Sequence, residues 1–505
     1  MDSKVQMFFI PSVMGRGHIL PAIDTARLFA AQGAEVTIII TPAYAQLFQK
    51  TIERDQSLGL DINFHIFKLP TSDFGLPDGC ETLLAASAGI IAKLFMAFEK
   101  LHEPIEQLLR ERRPDCIVSD MYHPWTADLG ARLGISSPRF LFYGTGLFSL
   151  CCEESIRRYA PHDKVNSDAE TFALPGLPDD NIIFTKRKIP YWFKEKGTGY
   201  GQFIDEVLKS ELKSYGVIVN SFYELEPAYA EYFKNEMGRK LCLVGPVCLF
   251  NKAFEEKAER GAENSIDGNT ILKWLDSKQS KSVLYVSFGS QASMAPEQFL
   301  EVAHGLETSG CPFIWVARDM SEYGQEEKEK KEGDKNRGKK LPEGFEERMT
   351  KSGQGLMVKS WAPQLLILEH ANIGGYLTHC GWNSTIEGIG AGVPMITWPL
   401  VAEQFFNESI VVDVLKTGIR VGNEEWLSYI WEPKLTVRRE KVEAAVKWLM
   451  AGNGGDEVEE MRRRAKVVSE KAKKAVDHGG SSNADAIALI NELKSRRHRV
   501  RANKL

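Results

Sequence analysis

The chain has 505 residues, a length for roughly two to four domains, and 43% of them are hydrophobic, enough for sizeable cores. Its net charge is only −5, so no global basic field draws it to nucleic acid. The eight cysteines (Cys80, Cys116, Cys151, Cys152, Cys242, Cys248, Cys311, Cys380) show neither a CxxC pair nor a framework spacing, which fits reduced thiols in a cytosol.

The amino terminus, MDSKVQMFFIPSV, carries an acidic residue, and Pro11 breaks its apolar run, so it does not read as a signal peptide. Met7 to Val13 reads as a strand and His18 to Gln32 as an amphipathic helix, with Ile19, Leu20, Ile23, Ala26, Leu28 and Phe29 at helical spacing. Glu35 to Ile40, a buried run from Asp115 to Ser119 that ends in Asp120, and Tyr215 to Asn220 are further strands. The apolar run Ala85 to Phe98 is broken by Lys93 and falls short of a membrane span. After Gly245-Pro246 the charged, weakly periodic residues Cys248 to Asp267 read as a linker. A second series follows: strands at Ser282 to Ser287, Phe313 to Ala317, Met357 to Lys359, Gly375 to Thr378 and Pro394 to Thr397, and helices at Arg438 to Ala451, Val458 to Ala475 and Asn483 to Leu493. Asp319 to Lys340 reads as a solvated loop and the basic tail Lys494 to Lys504 as a frayed end. The expectation is an α/β chain with two similar halves, each a parallel sheet covered by helices, and a cleft between them. Its divisions are 1–247, a linker over 248–267, 268–478, and a closing segment over 479–505.

The chemistry concentrates between Trp361 and Gln404, WAPQLLILEHANIGGYLTHCGWNSTIEGIGAGVPMITWPLVAEQ. Trp361, just after a strand, can stack on a planar base or simply pack in a core. Gln364 can hydrogen-bond a base or ribose edge. His379 and the backbone N–H groups near Asn383 and Ser384 open a helix whose N-terminus can hold phosphate, and Gly381 lets the backbone approach closely. Glu387 either closes a capping box with Ser384 or takes ribose hydroxyls. Glu403 and Gln404 together offer acceptors and a donor for sugar hydroxyls. In the first half, His18 follows a strand and a Gly-rich turn, and Asp120 ends a neighbouring strand. An Asp on one imidazole nitrogen would fix the tautomer and leave the other to accept a proton, although a structural His at a helix start is the alternative. No Asp-x-Asp or Walker A motif occurs, and Gly15-x-Gly17 lacks the third Gly of a dinucleotide fingerprint.

The WAPQ, HCGWNS, GVPM, WP and EQ elements resemble the signature box of plant UDP-sugar-dependent glycosyltransferases, and the resemblance extends through GHILPAIDTARLFAAQG, SDMYHPW and SYGVIVNSFYELEP. It implies a GT-B fold of two Rossmann-like domains, with the last helix returning to the first. It implies His18 as general base oriented by Asp120, and Trp361 on uracil with Ala362 and Gln364 beside it. His379, Asn383, Ser384, Ser290 and Gly17 would attend the diphosphate and Glu387 the ribose. Trp382, Glu403, Gln404 and Thr145 would contact the sugar. In this family Gln at the last position goes with UDP-glucose, and no metal or cofactor is required. Asn372 where Ala is usual and Tyr376 where Phe is usual depart from the pattern; a buried Asn372 would need a polar partner. The implied activity is inverting transfer of glucose to a hydroxyl or carboxyl of a hydrophobic plant metabolite (a triterpenoid, steroid or flavonoid) by a cytoplasmic monomer. Met14, Met121, Tyr122, Tyr143 and Phe148 are the acceptor-wall candidates. The competing readings are a non-catalytic nucleotide-sugar-binding protein, transfer of galactose, xylose or glucuronate instead, and an NAD-type oxidoreductase.

Overall fold

The structure, a computed structural model, describes residues 4–12, 15–77, 79–81, 88–135, 137–179, 181–195, 197, 199–261, 268–290, 294–317, 341–359, 361–428 and 434–502. Its strands, in chain order, are β1 (Gln6–Ile10), β2 (Glu35–Ile40), β3 (Ile62–Ile66), β4 (Cys116–Asp120), β5 (Arg139–Tyr143), β6 (Thr171–Ala173), β7 (Ile183–Thr185), β8 (Gly216–Val219), β9 (Leu241–Leu243), β10 (Val283–Ser287), β11 (Phe313–Val316), β12 (Gly355–Val358), β13 (Ile373–Thr378), β14 (Met395–Thr397) and β15 (Gly418–Arg420). The chain divides into two compact units. One holds Met1–Leu147, Glu195–Lys252 and Ala472–Leu505, the other Phe148–Lys194 and Ala253–Lys471.

The first unit is built on a parallel sheet in the order β3-β2-β1-β4-β5-β8-β9. Its central strands are near-continuous apolar runs because both faces are covered: every residue of β4 (CIVSD) and β5 (RFLFY) is buried. Sequence order reverses between β1 and β4, where Ile10 pairs with Ser119. Loops leaving the carboxyl ends of such a pair diverge to opposite faces and open a crevice. The loop after β1 leads into the helix Arg16–Ala31, which carries His18, and β4 ends on Asp120.

The second unit repeats the design, in the order β12-β11-β10-β13-β14-β15. The reversal falls between β10 and β13, with Ser287 opposite Thr378. Its core sets Leu284, Val286, Phe313, Trp315 and Leu377 against Val302, Leu306, Val442, Val446 and Leu449 of the helices Pro296–Ser309 and Arg439–Met450.

Three expectations differ from the structure. Residues 148–194 do not stay with the first half. Ser149 donates to Asn407 (2.7 Å), Phe184 meets Phe406 edge-on (5.1 Å), and Tyr191 and Trp192 pack on Trp426, so aromatic burial holds this segment in the second unit. The expected linker, as far as it is described, is ordered. Buried Arg27 donates to Asn251 (2.6 Å) and Asp55 (2.6 Å), and the helix Phe254–Glu259 is closed by Glu256 accepting the Ala253 N–H (2.8 Å). The expected frayed tail is helical: the last helix runs over Ser481–Ala502. Arg497 donates to the Lys4 carbonyl (2.8 Å) and Asp115 (3.2 Å), and Arg496 lies over the Tyr215 ring (5.2 Å). That helix is fixed within the first unit by Asp485, which accepts the Leu243 N–H (2.9 Å), and by Ser482 donating to Gly245 (2.6 Å). The loop Asp319 to Lys340 lies outside the described residues. Among the described residues no helix is long and apolar enough to cross a membrane.

Candidate active site

In the first unit the crevice between β1 and β4 holds a His–Asp pair. His18 stands in the first turn of its helix, where its N–H is bonded to Gly15 (3.1 Å), and its side chain is 25% exposed. Asp120 is fully buried and its Oδ2 lies 2.9 Å from His18 Nδ1. Its Oδ1 accepts the Tyr122 N–H (3.0 Å), a turn bond that locks the carboxylate. With Nδ1–H held by Asp120, Nε2 is left as the basic nitrogen. Gly144, beyond β5, leaves room for the ring: a side chain there would begin 3.3 Å from Nδ1. Thr145 follows, its hydroxyl buried with no hydrogen-bond partner among the described residues. Gly17 is exposed, with nothing within 4 Å of where a Cβ would stand.

Tyr122 leans edge-on against His18 (4.9 Å) and stacks on Phe203 (5.4 Å). Both rings line a cavity of about 420 Å³ with Phe95, Phe98 and Trp125. Of the acceptor-wall candidates among the described residues only Tyr122 lies there; Met121 is half-buried beside it. Tyr143 is a correction: it is 2% exposed and its hydroxyl is committed to Glu211 (2.6 Å). Phe148 is another, being fully buried and part of the second unit. Met14 lies outside the described residues. Phe203 and Trp125 are absent from the sequence expectation. For Trp125 the available signal is a second aromatic shortly after Tyr122 in SDMYHPW, while nothing local marks Phe203.

In the second unit the matching crevice is lined by the turns after β10 and β13. His379 sits between two glycines: a Cβ on Gly289 would collide with its Nε2 and one on Gly381 would stand 2.5 Å from it, so only glycine leaves that edge of the ring clear. Burial pushes its imidazole down to about 4, against a hydrogen bond with the Ser287 backbone, so it is neutral near pH 7. Cys380 has φ of +63°, a strain of roughly 1–2 kcal/mol, stored in the turn that launches the helix Trp382–Ala391. Gly381 is that helix's N-cap and no side chain caps it; the start of a helix is a place that favours an anion. Asn383 and Ser384 stand in this first turn, and Ser290 in the turn after β10. The capping-box alternative does not form, because the helix begins ahead of Ser384.

Glu387 is 5% exposed and accepts from Arg260 (2.5 Å) and Gln364 (2.7 Å). The expectation that Gln364 faces a base or ribose is not met: its Nε2 is given to Glu387 and its Oε1 receives the hydroxyls of Tyr285 (3.2 Å) and Tyr376 (3.2 Å). Trp361 is half-buried at the start of this stretch and Ala362 is buried behind it. Trp382 is 2% exposed. Gln404 is buried, and its Oε1 accepts the N–H groups of Leu400 (2.9 Å) and Val401 (3.0 Å), which fixes its amide N as the donating end. Glu403 accepts from Asn407 (3.1 Å). The polar partner that Asn372 requires is present twice: its Nδ2 donates to Leu275 (3.0 Å) and Lys278 (2.9 Å).

Residues 251–423 match the family model described as UDP-glucoronosyl and UDP-glucosyl transferase. The chain is 48% identical to abscisate beta-glucosyltransferase of Phaseolus angularis, over 98% of both chains. It is 44% identical to anthocyanin 3'-O-beta-glucosyltransferase of Gentiana triflora, over 98% of this chain and 99% of that one. The structure of Glycyrrhiza uralensis UGT73P12 complexed with glycyrrhetinic acid 3-O-monoglucuronide superposes with a TM-score of 0.89 at 42% identity, covering 99% of this chain and 98% of that one. Sheets, crevices and relatives converge: the chain belongs to the plant UDP-glycosyltransferases, enzymes of GT-B fold that use a UDP-sugar donor.

Proposed function

We propose that this enzyme transfers glucose from UDP-glucose, with inversion, to a hydroxyl of a hydrophobic plant metabolite of the triterpenoid, steroid or flavonoid class, in the cytosol. The observation that carries the reading is the His18–Asp120 pair at the crevice of the first sheet. His18 Nε2 takes the proton of the acceptor hydroxyl while Asp120 stabilises the imidazolium that forms. The oxygen attacks the anomeric carbon opposite the departing UDP, so the α-linked donor gives a β-glucoside.

In the second unit Trp361 stacks on uracil and Glu387 takes ribose hydroxyls. The helix start at Trp382–Ser384, with His379 and Ser290, receives the charge that develops on the diphosphate. Gln404 donates to and Glu403 accepts from sugar hydroxyls, with Trp382 completing the contacts from this unit. The fixed amide of Gln404 supports this division of roles. The acceptor lodges against Tyr122 and Phe203; a cavity of about 420 Å³ falls within the ~300–1,000 Å³ usual for small-molecule sites. The relatives are named for an abscisate and an anthocyanin, and the solved relative holds glycyrrhetinic acid 3-O-monoglucuronide, which supports the breadth of the acceptor class. Eight buried free thiols support a reducing compartment.

The test is an acceptor screen with UDP-glucose over flavonoid, triterpenoid and steroid aglycones and their monoglycosides, read by mass spectrometry. Gain of one hexose on one scaffold, absent in His18→Ala with UDP binding retained, is the expected result. Turnover by His18→Ala at the wild-type rate would remove the base from the mechanism.

A further inference from the structure

Glu387 is a buried carboxylate in the middle of a helix, and such a group is stable only when charge and hydrogen bonds compensate its burial. Two donors do so from different directions. Gln364 comes from within the donor box. Its own orientation is fixed by the Tyr285 and Tyr376 hydroxyls on its Oε1, so its amide N must face Glu387. Arg260 comes from outside the box, 127 residues away in sequence, and is 9% exposed. It directly follows the helix Phe254–Glu259, which an ion pair between Lys257 and Glu369 (2.6 Å) fastens to the same box. The segment that the sequence offers as a mere connector therefore delivers a cation to the floor of the candidate ribose site. Each Glu387 oxygen spends one lone pair on these donors and keeps another.

We propose that Arg260 is a donor-positioning residue, which holds Glu387 in the orientation that accepts the ribose hydroxyls of the uridine. The proposal rests on the ribose role given to Glu387 above. Without Arg260 the buried carboxylate loses half of its compensation and is free to turn away from the ligand. Because the contact runs through the ribose hydroxyls, a ligand lacking one of them must lose less when Arg260 is removed.

The experiment is isothermal titration of the full-length enzyme with UDP and with 2'-deoxy-UDP, for the wild type, Arg260→Gln and Arg260→Lys. A hydrogen bond to a charged group is worth roughly tenfold or more in affinity, so the wild type should prefer UDP by about tenfold. Arg260→Gln is expected to weaken UDP by about tenfold and 2'-deoxy-UDP by clearly less, shrinking the preference. Arg260→Lys keeps the charge without the planar fork and should fall between the two. Arg260→Gln that retains the full preference, or that loses both ligands equally, overturns the proposal. If Arg260→Gln does not fold, a wild-type preference in Arg260→Lys overturns it. A wild type with no preference removes the ribose role of Glu387 itself, and with it the proposal.

Discussion

Replacing Asp120 by Asn separates the chemistry of the His18 pair from its architecture. The carboxylate makes two bonds that matter, to His18 Nδ1 (2.9 Å) and to the Tyr122 N–H (3.0 Å). An Asn in the same rotamer keeps its oxygen on the Tyr122 N–H, so the turn survives. Its NH₂ then faces His18 and can only donate. Nδ1 must become the acceptor, which moves the ring proton to Nε2, the nitrogen that has to be basic. The cost in stability is that of exchanging one hydrogen bond, about 1 kcal/mol. The cost in rate is the whole contribution of a positioned base, ~10²–10⁴-fold in kcat, or about 3–5 kcal/mol of barrier. Asp120→Ala would add roughly 1–3 kcal/mol of instability, because the Tyr122 N–H would lose its partner as well. The assay is kcat by product mass spectrometry, beside UDP affinity by titration and a thermal melt. Asp120→Asn enzyme that turns over within about threefold of wild type would refute the tautomer argument, and loss of UDP binding would show that the pair serves the donor instead.

Burial, with Glu403 next, pushes the Glu153 carboxyl up to about 8 from its ordinary 4.5. Its unfolded form ionises near 4.5 while the folded form stays protonated, so stability should fall as pH rises from 4.5 through 8. Glu153→Gln should show a smaller loss of melting temperature between about pH 6 and pH 9 than wild type, and an equal loss would contradict the assignment. Asn372→Ala removes both bonds to the Leu275 and Lys278 carbonyls. It should cost about 1–3 kcal/mol in denaturant unfolding with UDP affinity unchanged, and a neutral result would mean water replaces the amide. Deleting residues 494–505 removes Arg497 from Asp115 and Arg496 from Tyr215. The melting temperature should drop by several degrees, as ~1–3 kcal/mol would require; an unchanged melt would mean that the last turns contribute nothing.

What can be read from the sequence is whatever is local. A strand followed by a small-residue turn and a helix announces a crevice, and so His18, Asp120, His379 and Asn383 can be named from their positions alone. Their alternation with apolar runs survives in a single sequence because both faces of each sheet are buried. What cannot be read is which distant side chains meet. Tyr143 has the profile of a pocket wall, and only the approach of Glu211 turns its hydroxyl inward. Gln364 offers an amide to a ligand until Tyr285 and Tyr376 claim its oxygen. Arg260 sits in a charged stretch whose composition argues for a connector, and a basic tail looks frayed until Asp115 and Tyr215 are known to lie beside it. Long polar side chains reach across elements, and periodicity is blind to such reach.

The assignment of Phe148–Lys194 to the second unit bears on how this enzyme can be recombined. A chimera cut in the connector that follows Gly245-Pro246 would look natural, since it exchanges one sheet for another. It would also strand that segment beside a foreign partner, orphaning Asn407 from Ser149 and Trp426 from its aromatic neighbours. A graft that exchanges the first unit should instead leave residues 148–194 with the host that supplies the second unit, and splice on either side of them as well as in the connector. The two units are interleaved along the chain, and exchange at a single crossover divides the one it was meant to keep whole.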